Sequence, residues 1–261
     1  MVSKDFYDDM YTGMDYASSF YADAAKPSLE KFIAEYNLQA SKVLDIGCGR
    51  GFFKDLVDNW LGIDISESVG RVIDGKYICA SAEEIPLLSE SMNVIWSITF
   101  LEHSPDPEIS LSEMSRVLMK DGMLYISPAW RVPPWRPKGY EIKRYSELNF
   151  KGKLTKIFLP ILNLIWTKGI LWIPRRVLRE LSWLVYEKPT KLRYTKFMPN
   201  LDEFLLPDSD ACNSLDSHEV LIWFLSRGYV LPYKHNFVSR ILMRCAPVIV
   251  IKDISVNLNN K

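Results

Sequence analysis

Val43-Leu44-Asp45-Ile46-Gly47-Cys48-Gly49-Arg50-Gly51 decides how this chain folds. A short apolar run, β-branched at Val43 and Ile46, predicts a buried strand. It breaks into alternating glycines and passes into Phe52-Phe53-Lys54-Asp55-Leu56-Val57, which reads as a helix start. Strand, glycine turn and helix N-terminus bring bare backbone N–H groups to a point that a ligand can approach closely, and a Cβ there would fill the ligand's space. The stretch therefore predicts a nucleotide-cofactor loop. A dinucleotide fingerprint wants G-x-G-x-x-G. Here the glycines fall at 47, 49 and 51 and Phe52 stands where the third would be, which disfavours a nicotinamide oxidoreductase.

Working outward, Gly62-Ile63-Asp64-Ile65-Ser66 is a second apolar strand ending in an acid. A third short strand, Tyr77-Ile78-Cys79, leads to Ser81-Ala82-Glu83, and a fourth, Asn93 to Phe100, exits through Leu101-Glu102-His103. These four motifs, in this order over roughly residues 40–130, resemble the class I S-adenosylmethionine (SAM)-dependent methyltransferases of the methyltransferase-11 type, whose first motif reads acidic-x-Gly-x-Gly-x-Gly. The resemblance implies SAM as cofactor. It implies Asp45 as acceptor for the cofactor's ammonium group and Gly47, Cys48, Gly49 and Gly51 as the loop beneath it. Asp64, with Ile65, would take both ribose hydroxyls, Ala82 and Glu83 would lie along the adenine, and Phe100 would stand at the exit of the fourth strand. The segment Asp208-Ser209-Asp210-Ala211, followed by Ser226-Arg227-Gly228-Tyr229, further resembles glycan methyltransferases, and the broad family includes quinone enzymes.

The remaining elements fit an α/β chain. Tyr7, Tyr11, Tyr16 and Tyr21, among Asp5, Asp8, Asp9, Asp15 and Asp23, have the spacing of one helix face; in the resembled family such a segment folds over the cofactor, and the residues read equally as a polar arm packing its rings on the domain surface. Pro27-Ser28 opens a helix from Leu29 to Tyr36, with Leu29, Phe32, Ile33 and Tyr36 on one face. Ser104-Pro105-Asp106-Pro107 starts another that runs to about Met119 and stops at Lys120-Asp121-Gly122. Met123 to Ser127 is the fifth strand. Asp216 caps a last helix ending at Arg227-Gly228. Tyr229 to Phe237 and Ile241 to Ile251 then read as an antiparallel pair. Alternation of strand and helix predicts right-handed crossovers, and the resemblance completes the fold: a Rossmann-like seven-stranded sheet, mostly parallel with an antiparallel last strand, flanked by helices.

Composition allows one such body, residues 1–130 plus 212–261, with an insertion at 131–211 after the fifth strand. The chain holds 32 basic and 32 acidic residues, 48% hydrophobic. The balance conceals an asymmetry: from Arg131 to Lys196 there are sixteen Lys plus Arg against Glu141, Glu147, Glu180 and Glu187, a basic module on an acidic body that calls for an anionic partner. The same stretch is apolar around Ile157–Ile165 and Ile170–Ile173 and predicts helices. Pro160, Lys168 and Pro174 interrupt it well short of the ~20 apolar residues of a membrane span. It reads either as a substrate lid or, over 151–188, as a contact for an anionic membrane surface, with Trp166, Trp172 and Trp183 at the interface and Lys153, Lys156, Lys168, Arg175, Arg176 and Arg179 on headgroup phosphates. The polar, acidic start shows no signal-peptide pattern. Cys48, Cys79, Cys212 and Cys245 form no C-x-x-C pair, which fits reduced thiols. Both point to a cytoplasmic protein, peripheral at the inner membrane face if the contact is real. Three histidines without ligand spacing predict no metal site.

A methyl donor that is already activated leaves the protein to align an acceptor in line and to exclude water. A hydroxyl acceptor benefits from a base. His103 is the first candidate, beside the exit of the fourth strand, with Asp208 and Asp210 as base or as groups orienting hydroxyls; His218 and His235 read as structural. The expected function is O-methylation of a sugar, lipid-linked or other small hydroxyl acceptor. Two alternatives stand beside it: an RNA methyltransferase using the basic insertion, though nucleic acid is disfavoured for want of glycine-aromatic motifs, and a SAM-binding protein without turnover.

Overall fold

The computed structural model describes residues 4–13, 17–186, 189–201, 208–233, 236–243 and 246–253. Six strands form one sheet: β1 (Lys42–Ile46), β2 (Asn59–Asp64), β3 (Tyr77–Cys79), β4 (Met92–Ile98), β5 (Leu118–Ser127) and β8 (Val248–Ile251), in the order β3-β2-β1-β4-β5-β8. All neighbours run parallel except β5 and β8, which are antiparallel from Met123↔Ile251 to Ile126↔Val248. The central strands are continuously apolar because helices cover both faces. Period-two alternation sorts their side chains. Leu44, Ile46 and Ile95 face α4 (Pro107–Val117) and α7 (Ser217–Leu225), where Leu111, Met114, Leu221 and Phe224 are buried. Val43, Val94 and Trp96 face α2 (Ala17–Glu35) through Leu29, Phe32 and Ile33. Further elements are α1 (Lys4–Gly13), α3 (Glu67–Val72), α5 (Phe150–Leu162), α6 (Ile165–Tyr186), α8 (Phe237–Leu242) and the short antiparallel pair β6 (Thr195–Lys196) with β7 (Asn213–Ser214).

Four expectations change. Among the described residues the sheet has six strands, not seven. Where the seventh was expected, only Val230 bridges to Ile251; Pro232, which has no N–H to donate, follows, and Asn236 caps α8 instead. The glycine loop does not open an α-helix: Lys54–Leu56 is a single 3-10 turn, and β2 begins at Asn59. The N-terminal helix does not wait for Pro27, which lies inside α2. Finally, α4 ends at Val117 and Lys120-Asp121-Gly122 lies within β5, at a register shift against β4. Asp121 takes φ 61° there, and a Cβ on Gly122 would come within 2.8 Å of the Asn93 carbonyl.

The 131–211 segment is helical as expected, and α6 docks on the body through its charged side. Its buried side is ionic. Arg176 pairs with Asp216, the N-cap of α7, and donates to the Ile241 carbonyl at 2.8 Å. Arg179 lies 2.9 Å from Glu219. Glu180, fully buried, meets Arg240 at 2.7 Å and His218 at 3.2 Å. Arg176 and Arg179 are thus ion-pair partners inside the fold, not headgroup ligands, and His218 is structural. His235 lies outside the described residues. Among the described residues no helix is long and apolar enough to cross a membrane.

Asp216→Ala removes a cap and strands a buried guanidinium, so it should lower stability by about 3–5 kcal/mol in urea denaturation. A loss no greater than a cap alone contributes, about 1 kcal/mol, would mean that the Arg176 pair does not hold α6.

Candidate active site

A cavity of about 350 Å³ lies at the C-terminal ends of the parallel strands. It sits where the strand order reverses between β1 and β4, the position open α/β sheets use for ligands. Its wall contains Gly47, Asp64, Ile65, Ala82, Glu83, Phe100 and His103 of the sequence-predicted residues. Asp64 accepts from the Gly49 N–H at 3.0 Å and the Ser66 N–H at 3.1 Å, so the loop after β1 is tied to the end of β2 through one carboxylate. Each of its oxygens keeps lone-pair capacity toward the cavity. Burial pushes the Asp64 carboxyl up, against the pull of those N–H groups. Glu83 accepts from the Asp106 N–H at 2.9 Å, which joins the segment after β3 to the start of α4.

Four predicted cofactor residues are not on the wall. Asp45 is buried on the α2 side of the sheet, where alternation along β1 places it, and accepts from the Trp60 indole at 3.1 Å. Burial pushes its carboxyl up to about 7. Cys48 is buried with its thiol 3.6 Å from the Gly49 carbonyl. Gly51 packs toward Ile73 and Trp60, and Gly49 lies beneath Tyr11. The three loop glycines all take positive φ, 70°, 47° and 71°. What a side chain would meet first is protein: Phe100 at 2.5 Å from a Cβ on Gly47, the Tyr11 hydroxyl at 3.2 Å from one on Gly49. At Gly47 and Gly49 those neighbours, Phe100 and Tyr11, are rings that wall the cavity.

The catalytic candidates come together, with two unforeseen neighbours. His103 follows β4 in a 3-10 turn, Leu101–His103. That turn is stitched to the chain returning from the insertion: Cys212 N–H donates to the Glu102 carbonyl at 2.8 Å, and the Asn213 amide donates to the carbonyls of Leu101 and Ser104, each at 2.8 Å. As a result the Asp210 carboxylate lies 3.1 Å from His103 Nδ1 and accepts from the Tyr7 hydroxyl at 3.0 Å. Burial disfavours the imidazolium, but Asp210, then Glu102 and Asp208, outweigh it and hold His103 up at about 10. The same pairing overcomes burial to keep Asp210 below the usual carboxylate range. Burial pushes Glu102 up to about 7 and raises Asp208, which lies 3.9 Å from Arg136.

Tyr7 and Glu102 were missed as site residues. Tyr7 belongs to the Tyr/Asp-rich segment noted in the sequence, which does close over the cavity: Tyr7 and Tyr11 line it, and Asp8 of α1 accepts from the Ser66 hydroxyl at 2.6 Å and the Ser68 N–H at 2.9 Å. Glu102, His103 and Asp208 also bring one ligand-type atom each within 4.8 Å of the others. That set could hold a cation, in competition with the proton on His103.

Fold and cavity together define a Rossmann-like α/β domain built to take a nucleotide-type cofactor. A methyltransferase-domain family model matches residues 44–126, from within β1 to the end of β5. Over this segment the chain is similar to SAM-dependent methyltransferase domains, which makes SAM the cofactor to set against the cavity. Among curated proteins, a ubiquinone/menaquinone biosynthesis C-methyltransferase from Campylobacter jejuni is 31% identical over 130 residues, covering 41% of this chain and 54% of that protein. A ubiquinone biosynthesis O-methyltransferase from Pseudomonas fluorescens is 30% identical over 114 residues, covering 37% and 48%. The chain thus spans about half the length of these relatives. Among solved structures, a protein from Pyrococcus horikoshii aligns with TM-score 0.41 and 22% identity over 52% of this chain and 69% of its own.

The residues present fit the cofactor: a buried carboxylate open to the cavity for hydroxyls, apolar Ile65, Ala82 and Phe100 for a flat base, and space kept by Gly47. Asp64→Ala should weaken SAM binding by about 1–3 kcal/mol in calorimetry, and Gly49→Val, strained at φ 47° and crowding Tyr11, should abolish it. Unchanged affinity in Asp64→Ala would remove that carboxylate from the cofactor site.

Proposed function

We propose that the chain is a SAM-dependent O-methyltransferase acting on a hydroxyl of a sugar, lipid-linked or other small acceptor, with the His103–Asp210 pair as general base. The observation that carries this reading is the 3.1 Å contact between Asp210 and His103 Nδ1, with His103 on the wall of the SAM cavity. SAM supplies an electrophilic methyl group on a cationic sulfur. The protein's part is to fix the acceptor oxygen and to hold its proton. Asp210 orients the imidazole through Nδ1, which leaves Nε2 as the atom to take the proton. The Tyr7 hydroxyl fixes Asp210 from the other side, and Glu102, anchored by the Ala129 N–H at 2.9 Å, supports the turn that presents His103.

The division of labour follows the sequence reading: residues 1–130 and 212–261 bind SAM, and 131–211 act as the acceptor-side module that contributes Asp208 and Asp210. An RNA acceptor is less well supported, because Arg176 and Arg179, two of the module's cations, are consumed by ion pairs inside the fold. No step requires a metal, so a chelator should leave transfer unchanged. Incubation with methyl-labelled SAM and separated lipid, glycan and RNA fractions of a cell extract tests the acceptor class. Label in lipid or glycan supports the proposal, and label in RNA alone overturns it.

The pH dependence has a definite sign. A base must be unprotonated, and His103 is held up at about 10, so the transfer rate should rise with pH across the alkaline range. Asp210→Asn removes the main opposing charge and should bring the rising limb down toward the ordinary histidine range near 6.5 while lowering the maximum. His103→Gln should cost about 10²–10⁴-fold in rate with SAM affinity nearly intact. A flat pH profile, or a His103→Gln enzyme as fast as wild type, would move the proton to Asp208, Glu102 or water. The same pairing favours the folded state below about pH 6.5 and ceases to as pH rises through about 10.

A further inference from the structure

The helices α5 and α6 turn an apolar surface outward. On α5, Leu154, Ile157 and Ile161 recur at one helical face and are 47%, 58% and 52% exposed. On α6, Leu178, Leu181 and Leu184 are 66%, 49% and 55% exposed. In a soluble helix such positions are ordinarily the buried ones. Here that arrangement is excluded by the ionic side of α6: turning the leucines inward would pull Arg176, Arg179 and Glu180 away from Asp216, Glu219 and Arg240 and leave all six charges unpaired. On α6 the outward apolar face is therefore fixed by these ion pairs, and on α5 three apolar side chains of one face are exposed beside it in sequence.

The charges around this face choose its occupant. From Phe150 to Tyr186 the only acidic residue is Glu180, which is fully buried. Lys151 and Lys153 are exposed and flank the α5 stripe on its two sides, while Lys156 turns back to donate to the Lys143 carbonyl at 2.6 Å. Arg175 is exposed on α6, its guanidinium 5.7 Å from the Trp172 ring. An apolar stripe bordered by cations and free of exposed acid suits the boundary between acyl chains and anionic headgroups. A second copy would set these lysines against one another, and an acidic protein partner would leave the stripe without its apolar complement.

We infer that α5 and α6 seat the protein on an anionic lipid surface, with Leu154, Ile157, Ile161, Leu178, Leu181 and Leu184 entering the interface and Lys151, Lys153 and Arg175 engaging headgroup phosphates. The inference is independent of which hydroxyl is methylated. The full chain is tested by flotation with vesicles of phosphatidylcholine alone or mixed with phosphatidylglycerol. Co-flotation with the anionic vesicles only, weakened at high salt, is expected. Lys151→Glu/Lys153→Glu should weaken binding about tenfold or more, from the surface contribution of each cation, and Ile157→Ser/Leu181→Ser should abolish it. All four positions are exposed, so SAM binding by calorimetry should stay at wild-type affinity in both variants and separates loss of the surface from loss of the fold. The inference is overturned if the protein stays at the bottom of every gradient, if it floats equally with neutral vesicles, or if Ile157→Ser/Leu181→Ser floats as wild type. It is also overturned if light scattering shows a stable dimer that the same double variant dissolves.

Discussion

One side-chain amide joins the two ends of this fold. Asn213, fully buried, donates to the carbonyls that open and close the turn after β4. The Leu101 carbonyl also accepts from the Ser104 N–H at 3.2 Å, so the amide is a second donor there, and a buried carbonyl left unpaired is costly. Satisfying them from residue 213 brings the chain back to the sheet edge after its long excursion. Asp210 is then set by connectivity: three residues upstream of a fixed point, it reaches His103 and Tyr7 together. The site is thus assembled from the exit of one strand, the first helix and the return of the insertion.

Electrostatics follows from that assembly. Three carboxylates gather around one imidazole, and Arg136 stands beside one of them. Burial alone would drive His103 toward neutrality and the acids toward protonation. The histidine instead keeps its proton and Asp210 gives its own up, because the two stabilise one another in a place where water cannot. Glu102 and Asp208, without so close a partner, are raised by the same burial. A proton can therefore be stored at this cluster in more than one place.

The parts of this structure that were legible from sequence are those governed by short-range rules. The apolar run at Val43–Ile46, the glycines that follow, the acid ending β2 and the start of α4, with Pro107 just inside it, all lie where their spacing puts them. What failed were inferences in which one element had to be completed by another. The helix expected after Gly51 is missing because β2 follows too soon. The last hairpin shrinks to a bridge because Pro232 and the Asn236 cap draw the chain into α8. Asp45 was assigned by motif position, whereas alternation along β1 turns it to the opposite face, toward Trp60. Tyr7 meets a partner 203 residues away, a separation at which no local pattern carries information.

The docking of α6 through its charged side has a consequence for how the chain is made. Its partners come later in synthesis: Asp216 lies 40 residues beyond Arg176, and Arg240 lies 60 beyond Glu180. Until those have left the ribosome, α6 lacks its ion-pair partners, and its charged side and its leucine side both meet whatever surrounds the nascent chain. Domains fold as units during synthesis, and surfaces exposed in the interval are where misassembly begins. For this chain the interval is set by the distance in sequence between an arginine and its aspartate, and the last charge to arrive, Arg240, closes it.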